Sequence, residues 1–251
     1  MIDTHCHLFL MDGDPPDIVR EGRAAGVEAL VCVGVDRDSS FRSRELADSL
    51  QGVFATAGVH PHDAGGFDDT TGAEIEELLG DPRVVAVGET GLDHYRMLSP
   101  REDQERVFRS HCSLARELDK PIVVHTRDAW PDVLRILAEE RLDRVVLHCF
   151  SGGDEEAAVA AERGYFCSFA GPISYPKNDA LRAAAAAIPA DRLLVETDSP
   201  FLPPQTLRGK PNHPANLGLN VEALAGALGR EPADVARLTA ANARAAFGLP
   251  E

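Results

Sequence analysis

Positive charge is scarce in this chain. Its 251 residues hold 25 Lys and Arg against 41 Asp and Glu, a formal net charge of −16. A broad basic groove along duplex nucleic acid is excluded, because phosphate contacts draw on Lys and Arg. A small anionic ligand, or one strand end held through a metal, is not excluded. The five cysteines (Cys6, Cys32, Cys112, Cys149 and Cys167) are odd in number and form no CxxC, which speaks against a disulfide framework. No apolar run reaches the roughly 20 residues of a membrane span. No charged n-region followed by an apolar h-region opens the chain. GxGxxG, GxSxG and a Walker-type loop are missing as well, so dinucleotide binding, serine-nucleophile chemistry and ATP are not implied. The expectation is a soluble, reduced, cytoplasmic enzyme with no membrane partner.

Long Ser/Gly/Pro linkers and shifts of composition are also lacking, so residues 1–251 are expected to form a single domain. What is present is a repeating alternation. Eight short apolar runs read as strands: "MIDTHCHL", "ALVCVGV" (29–35), "VFATAGVHP" (53–61), "VVAVGETGL" (84–92), "PIVVHTR" (121–127), "RVVLHCF" (144–150), "GYFCSFAG" (164–171) and "LLVETDSP" (193–200). Several are continuous Val/Ile/Leu runs, as parallel strands covered on both faces require. The segments between them read as helices. "PREDQERVFRSHCSLARELD" carries Val107, Phe108, Cys112, Leu114, Ala115 and Leu118 at helical spacing. "AWPDVLRILAEERL" does likewise, and "NDALRAAAAAIP" reads as a surface helix. The tail from Asn220 to Gly248 holds two helices, the second opened by Glu231-Pro232. The fold class is therefore α/β, a (β/α)8 TIM barrel; a doubly wound sheet is the weaker alternative.

Active sites of such barrels lie at the C-terminal ends of the strands, where this chain gathers metal-capable groups. Strand one ends with His5 and His7, strand three with His60-Pro61-His62. Strands four, five, six and eight supply Glu89, His125, His148 and Asp198. Residues i and i+2 of a strand share a face, so His5 and His7 point together and Cys6 points away, into packing. Four imidazoles and two carboxylates buried together are costly without a cation. Six ligands exceed the four of one tetrahedral zinc and suit two divalent ions sharing a carboxylate. The donors suit Mn, Zn, Ni, Co or Fe, with Mg also in the expected set. Two such ions clamp the attacking and leaving oxygens of a displacement at phosphorus.

"DTHCHL", "GVHPHDA", "AVGETGLDHYR", "PIVVHTRDA", "VLHCFSG", "ETDSPFL", "RGKPNHPANL" and the closing "ARAAFGL", in this order from Ile2 to Leu249, resemble the TatD family of metal-dependent hydrolases. That family belongs to the amidohydrolase-like TIM-barrel superfamily. The resemblance implies a divalent-metal deoxyribonuclease that cuts phosphodiester bonds from the 3′ end, with abasic-site activity in some members, and DNA ends or damaged sites as substrate. It implies that His5, His7 and Asp198 hold one ion, His125 and His148 the other, and that Glu89 bridges them. Glu89 and Asp198 are then the catalytic pair, Asp198 orienting or deprotonating the attacking water. Two divalent ions less two carboxylates leave about +2 at the site, which attracts phosphate despite the acidic surface.

Around the ligands, Asp93 and Glu196 are expected to support the metal-binding side chains from behind. His62, Arg96, Arg127, Arg208 and Lys210 are candidates to hold substrate, the guanidiniums by gripping phosphate oxygens. Tyr95 and Phe201 are expected to pack rather than to stack on a base. His94, His111 and His213 depart from the family pattern, in which an aromatic, a glutamine and a glutamate are commoner. His213 and Asn216 are expected in the substrate-facing loop and His111 in a structural role. A monomer is expected. The alternative function is hydrolysis of another ester, amide, lactone or acyl-nucleotide on the same two-metal barrel. Relatives of those kinds often bridge their metals with a carbamylated lysine on strand four, where this chain has Glu89 and no lysine.

Overall fold

The structure is a computed structural model and describes residues 1–250. Its strands are β1 (Ile2–Cys6), β2 (Ala29–Val33), β3 (Val53–Ala57), β4 (Val84–Asp93), β5 (Ile122–Arg127), β6 (Val145–Leu147), β7 (Phe166–Phe169) and β8 (Leu193–Val195). Its helices are α1 (Pro15–Ala24), α2 (Arg37–Ser49), α3 (Asp69–Leu79), α4 (Arg101–Glu117), α5 (Trp130–Glu139), α6 (Asp154–Arg163), α7 (Asp179–Ala187), α8 (Leu217–Leu228) and α9 (Pro232–Phe247). The strands follow chain order in one eight-stranded sheet, the (β/α)8 class that the alternation predicts. The described backbone forms two compact units, Met1–Cys32 with residues 149–250, and Val33–His148.

In the first unit β1 pairs in parallel with β2, Ile2 opposite Ala29 and Cys6 opposite Cys32, and β7 pairs with β8. The chain leaving β8 returns to β1: the Asp198 amide donates to the His5 carbonyl (2.9 Å) and the His7 amide to the Ser199 carbonyl (2.8 Å). Every residue of β1 is buried, the polar ones included. A buried polar group needs a partner, and Thr4 and Asp3 find theirs at the end of β8 and just beyond it. Thr4 Oγ1 donates to the Val195 carbonyl at 2.9 Å, and the Asp3 carboxylate accepts the Thr197 amide at 2.8 Å. Burial pushes the Asp3 carboxyl up to about 7, against the pull of the Thr197 hydrogen bonds. Helix α9 opens on Pro232, a residue suited to the first helical turn, and buries Val235, Thr239, Ala243 and Phe247 along one stripe. Helix α7, expected at the surface, buries Leu181, Ala184 and Ala185 on one side.

In the second unit β3, β4, β5 and β6 pair in parallel in that order, with Ala57 opposite Val87, Gly91 opposite His125 and Val124 opposite Leu147. Ile122, Val123 and Val124 are fully buried, each contributing about 1.5–3 kcal/mol relative to exposure. Helix α4 buries Val107, Phe108, His111, Cys112 and Ala115. Two glycines set the spacing where β3 ends beside the middle of β4. A Cβ on Gly58 would lie 2.5 Å from the Gly88 Cα, and one on Gly88 would lie 2.5 Å from the Val123 carbonyl oxygen. Gly88 also has φ +124°, a conformation closed to other residues.

Most strands are shorter than the apolar runs suggest, because the chain turns before the polar residue. His5, Glu89 and His125 lie within β1, β4 and β5, whereas His7, His60, His148 and Asp198 lie in the turns beyond β1, β3, β6 and β8. Among the described residues no helix is long and apolar enough to cross a membrane, and no disulfide joins the cysteines.

Candidate metal centre

In the first unit three donors converge. His5 Nε2 and His7 Nε2 are 3.3 Å apart, and Asp198 Oδ1 lies 3.8 and 3.6 Å from them. All three residues are buried. Ligands at about 2.1 Å from one tetrahedral cation stand roughly 3.4 Å from each other, so these spacings fit a shared ion. Asp198 takes φ +56°, uncommon for a residue with a side chain and a form of strain that clusters at functional sites. Cys6 turns away as alternation predicts, its thiol toward the Val31 carbonyl at 3.5 Å.

In the second unit Glu89 is the centre. Its Oε1 lies 2.9 Å from His125 Nδ1, 3.1 Å from His148 Nε2 and 3.5 Å from His60 Nε2. Donor atoms of His60, Glu89 and His125 all fall within 4.8 Å of one another. Burial opposes a charge on His125, yet the Asp93 and Glu89 carboxylates outweigh it and raise the imidazole above its ordinary value. Where carboxylates draw a proton onto a buried ring in this way, a cation can take the proton's place. His125 Nε2 is buried and makes no hydrogen bond; Asp93 Oδ2 lies 3.5 Å behind it, a charge contact without hydrogen-bond alignment. A carboxylate behind a ligating histidine is the usual support of such a ligand.

His60 follows an aliphatic run as the other donors do, and the sequence alone does not distinguish it from His62 two residues on. Its Nδ1 accepts the His62 amide at 3.1 Å, and burial lowers its pKa well below the ordinary value. The ring is therefore neutral and carries its proton on Nε2, facing Glu89. His60 thus offers this site an N–H donor.

The other candidates separate. His62 Nε2 lies 2.8 Å from Asp93 Oδ2. Burial pushes the Asp93 carboxyl up, but the His125 imidazole beside it and the hydrogen bonds from the Arg96 amide and His62 outweigh it and hold Asp93 well below the carboxylate range. Glu196 accepts the amide of Cys149, the residue after His148, at 2.9 Å. Arg127 lies over the Tyr95 ring at 4.0 Å and Arg208 over Tyr175 at 4.8 Å; Arg96 and Lys210 are exposed. Tyr95 and Phe201 are 62% and 50% exposed; Phe201 stands edge-on to the His7 ring, centroids 5.8 Å apart. His213 caps a turn through the Ala215 amide (3.1 Å) and faces Glu21 of α1 at 3.4 Å, so it is occupied with structure. Asn216 bonds Asn212 at 3.0 Å. His94 lies 4.0 Å from Asp132. His111 donates from Nδ1 to the Val107 carbonyl and accepts the Val59 amide, the structural role expected.

The sequence profile of the TatD related DNase family matches residues 2–248. The chain belongs to this family. It is 40% identical over 259 residues to an uncharacterized metal-dependent hydrolase, TatD of Mycobacterium tuberculosis, covering 99% of this chain and 98% of that protein. It is 37% identical over 243 residues to the 3′-5′ ssDNA/RNA exonuclease TatD of Cronobacter sakazakii, covering 94% and 92%. The crystal structure of YjjV, a TatD homologue of Escherichia coli K12, matches with a TM-score of 0.95 at 28% identity, over 100% of this chain and 98% of that one. The TatD fold is thus a (β/α)8 barrel here as in YjjV, and the chain is a TatD-type metal-dependent hydrolase.

Proposed function

We propose that this TatD protein is a phosphodiesterase that trims single-stranded nucleic acid from the 3′ end, with DNA as substrate and damaged or abasic DNA as a further one. The observation that carries the reading is the convergence of His60, His125 and His148 on a single buried oxygen of Glu89, within 2.9–3.5 Å. The exonuclease named among its relatives supports the choice of substrate.

His5, His7 and Asp198 would hold one divalent ion and His125 and His148 a second, with Glu89 shared by both; the candidate ions are Mg, Mn, Zn, Ni and Co, and the imidazoles favour the transition metals among them. When bound, such ions supply a water of lowered pKa and positive charge for the phosphate. The chain's own residues do the rest. Asp198 accepts the proton of the attacking water at its carboxylate and fixes its direction. His60 directs the N–H of Nε2 at an oxygen in the site. Asp93 holds the His125 and His62 rings in position. His62, Arg96, Arg127, Arg208 and Lys210 hold the substrate's phosphates. Residues 1–251 act as one domain, as a monomer and in a reducing, cytoplasmic setting.

The test is a panel of 3′-labelled single-stranded DNA, abasic duplex, RNA and small esters, assayed with Mg, Mn and Zn after chelation. Release of 3′ nucleotides from single strands is expected. Turnover confined to small esters, amides, lactones or acyl-nucleotides would overturn the assignment.

A further inference from the structure

The turn leaving β4 exposes four consecutive residues, Tyr95, Arg96, Met97 and Leu98. Three are large and apolar, at 62%, 41% and 63% exposure. Large apolar side chains set side by side in a turn offer a ligand something to cover. The turn is also anchored. Asp93 Oδ1 accepts the amides of Tyr95 (2.9 Å) and Arg96 (2.7 Å), while its Oδ2 faces His62 and His125. The carboxylate that supports the metal-side histidines therefore also holds the Tyr95 ring out into solvent. Under that ring lies the Arg127 guanidinium, 4.0 Å from its centroid. Arg127 steadies one face by cation–π attraction and leaves most of the ring open. Tyr95 follows Glu89 by six residues and Arg127 follows His125 by two, so the stacked pair grows from the two strands that carry the second unit's metal donors.

We propose that the Tyr95–Arg127 pair is a seat for one unpaired nucleobase of the strand being cut, a reading that rests on the nuclease assignment above. The chemistry favours this occupant over another protein. An open aromatic face accepts any base by stacking, whatever its sequence. The guanidinium edge of Arg127 and the neighbouring Arg96 supply positive charge for the flanking phosphates in a chain that is otherwise acidic. A base inside a duplex already has both faces covered, so the seat selects single strands and frayed ends.

The experiment uses the metal-loaded protein and two 3′-labelled oligomers of equal length, one of deoxynucleotides and one whose last three units are base-free propanediol phosphodiesters. Wild type is expected to cut the base-bearing strand with a kcat/KM about 5- to 150-fold higher. In Tyr95→Ala that advantage is expected to collapse, mostly through KM. In Tyr95→Phe it is expected to persist. Tyr95→Ala cutting the base-bearing strand as well as wild type does would overturn the seat. Equal cutting of both oligomers by wild type would overturn the seat and leave the nuclease assignment standing. No cutting of either oligomer would remove the assignment, and the seat with it.

Discussion

Oδ2 of Asp93 lies 2.8 Å from Nε2 of His62. The same carboxylate backs His125 at 3.5 Å and accepts two turn amides, so Asp93 ties three pieces of the second unit together. Asp93→Asn removes the charge while keeping the shape. It is expected to lower metal affinity or activity about 10- to 100-fold, the range for carboxylates behind ligating histidines. Metal titration by calorimetry beside kcat/KM checks this; unchanged affinity and rate would show that Asp93 only shapes the turn.

Glu89→Ala removes the oxygen on which three imidazoles converge. Activity is expected to fall more than about 100-fold, beyond the range for supporting residues, with circular dichroism unchanged. A variant that retains its full metal content by elemental analysis and still turns over substrate would contradict the bridging role.

Stripping the ions is expected to lower the melting temperature. A ligand present at about 100 times its Kd adds roughly 3 kcal/mol, which in a domain of this size corresponds to about 5–10 °C. Scanning calorimetry before and after chelation, with readdition of Mn or Zn, gives the measurement. A melting temperature indifferent to chelation would argue that the buried imidazoles and carboxylates are satisfied by one another.

His111 gives a pH dependence separate from the metal donors. Burial lowers its pKa from 6.5 to about 4, against the pull of the Val107 carbonyl that Nδ1 faces; Nε2 accepts the Val59 amide. Between pH 6.5 and 4 the unfolded chain binds a proton that the folded chain refuses. The stabilisation is thus complete above pH 6.5 and fades as pH falls toward 4, by roughly 3 kcal/mol at 1.36 kcal/mol per unit. Urea unfolding of chelated protein across this range should show that slope. His111→Gln, which can keep both hydrogen bonds without titrating, should flatten it.

The strands were legible because parallel strands buried on both faces leave continuous Val/Ile/Leu runs, as in β5 and β6. Their ends were less so, since His60, His148 and Asp198 continue each run in sequence but sit in the turn beyond it. Alternation alone gave the shared face of His5 and His7, now 3.3 Å apart at Nε2. The part played by His60 was hidden, because it depends on which ring nitrogen the His62 amide occupies. No sequence pattern carries that information. The exposure of Tyr95 was hidden for a similar reason: two backbone amides bound to Asp93 set it, and an aromatic in sequence reads as packing by default. The contact of His213 with Glu21 is likewise set by the fold and not by its loop sequence.

Gly58 and Gly88 meet almost backbone to backbone, at the point from which the chain goes on to His60 in the turn beyond β3 and to Glu89 within β4. Any side chain at either position would wedge these two segments apart by more than the tolerance of a metal ligand. A saturation survey of this protein would therefore score as indispensable two residues that have no functional group at all.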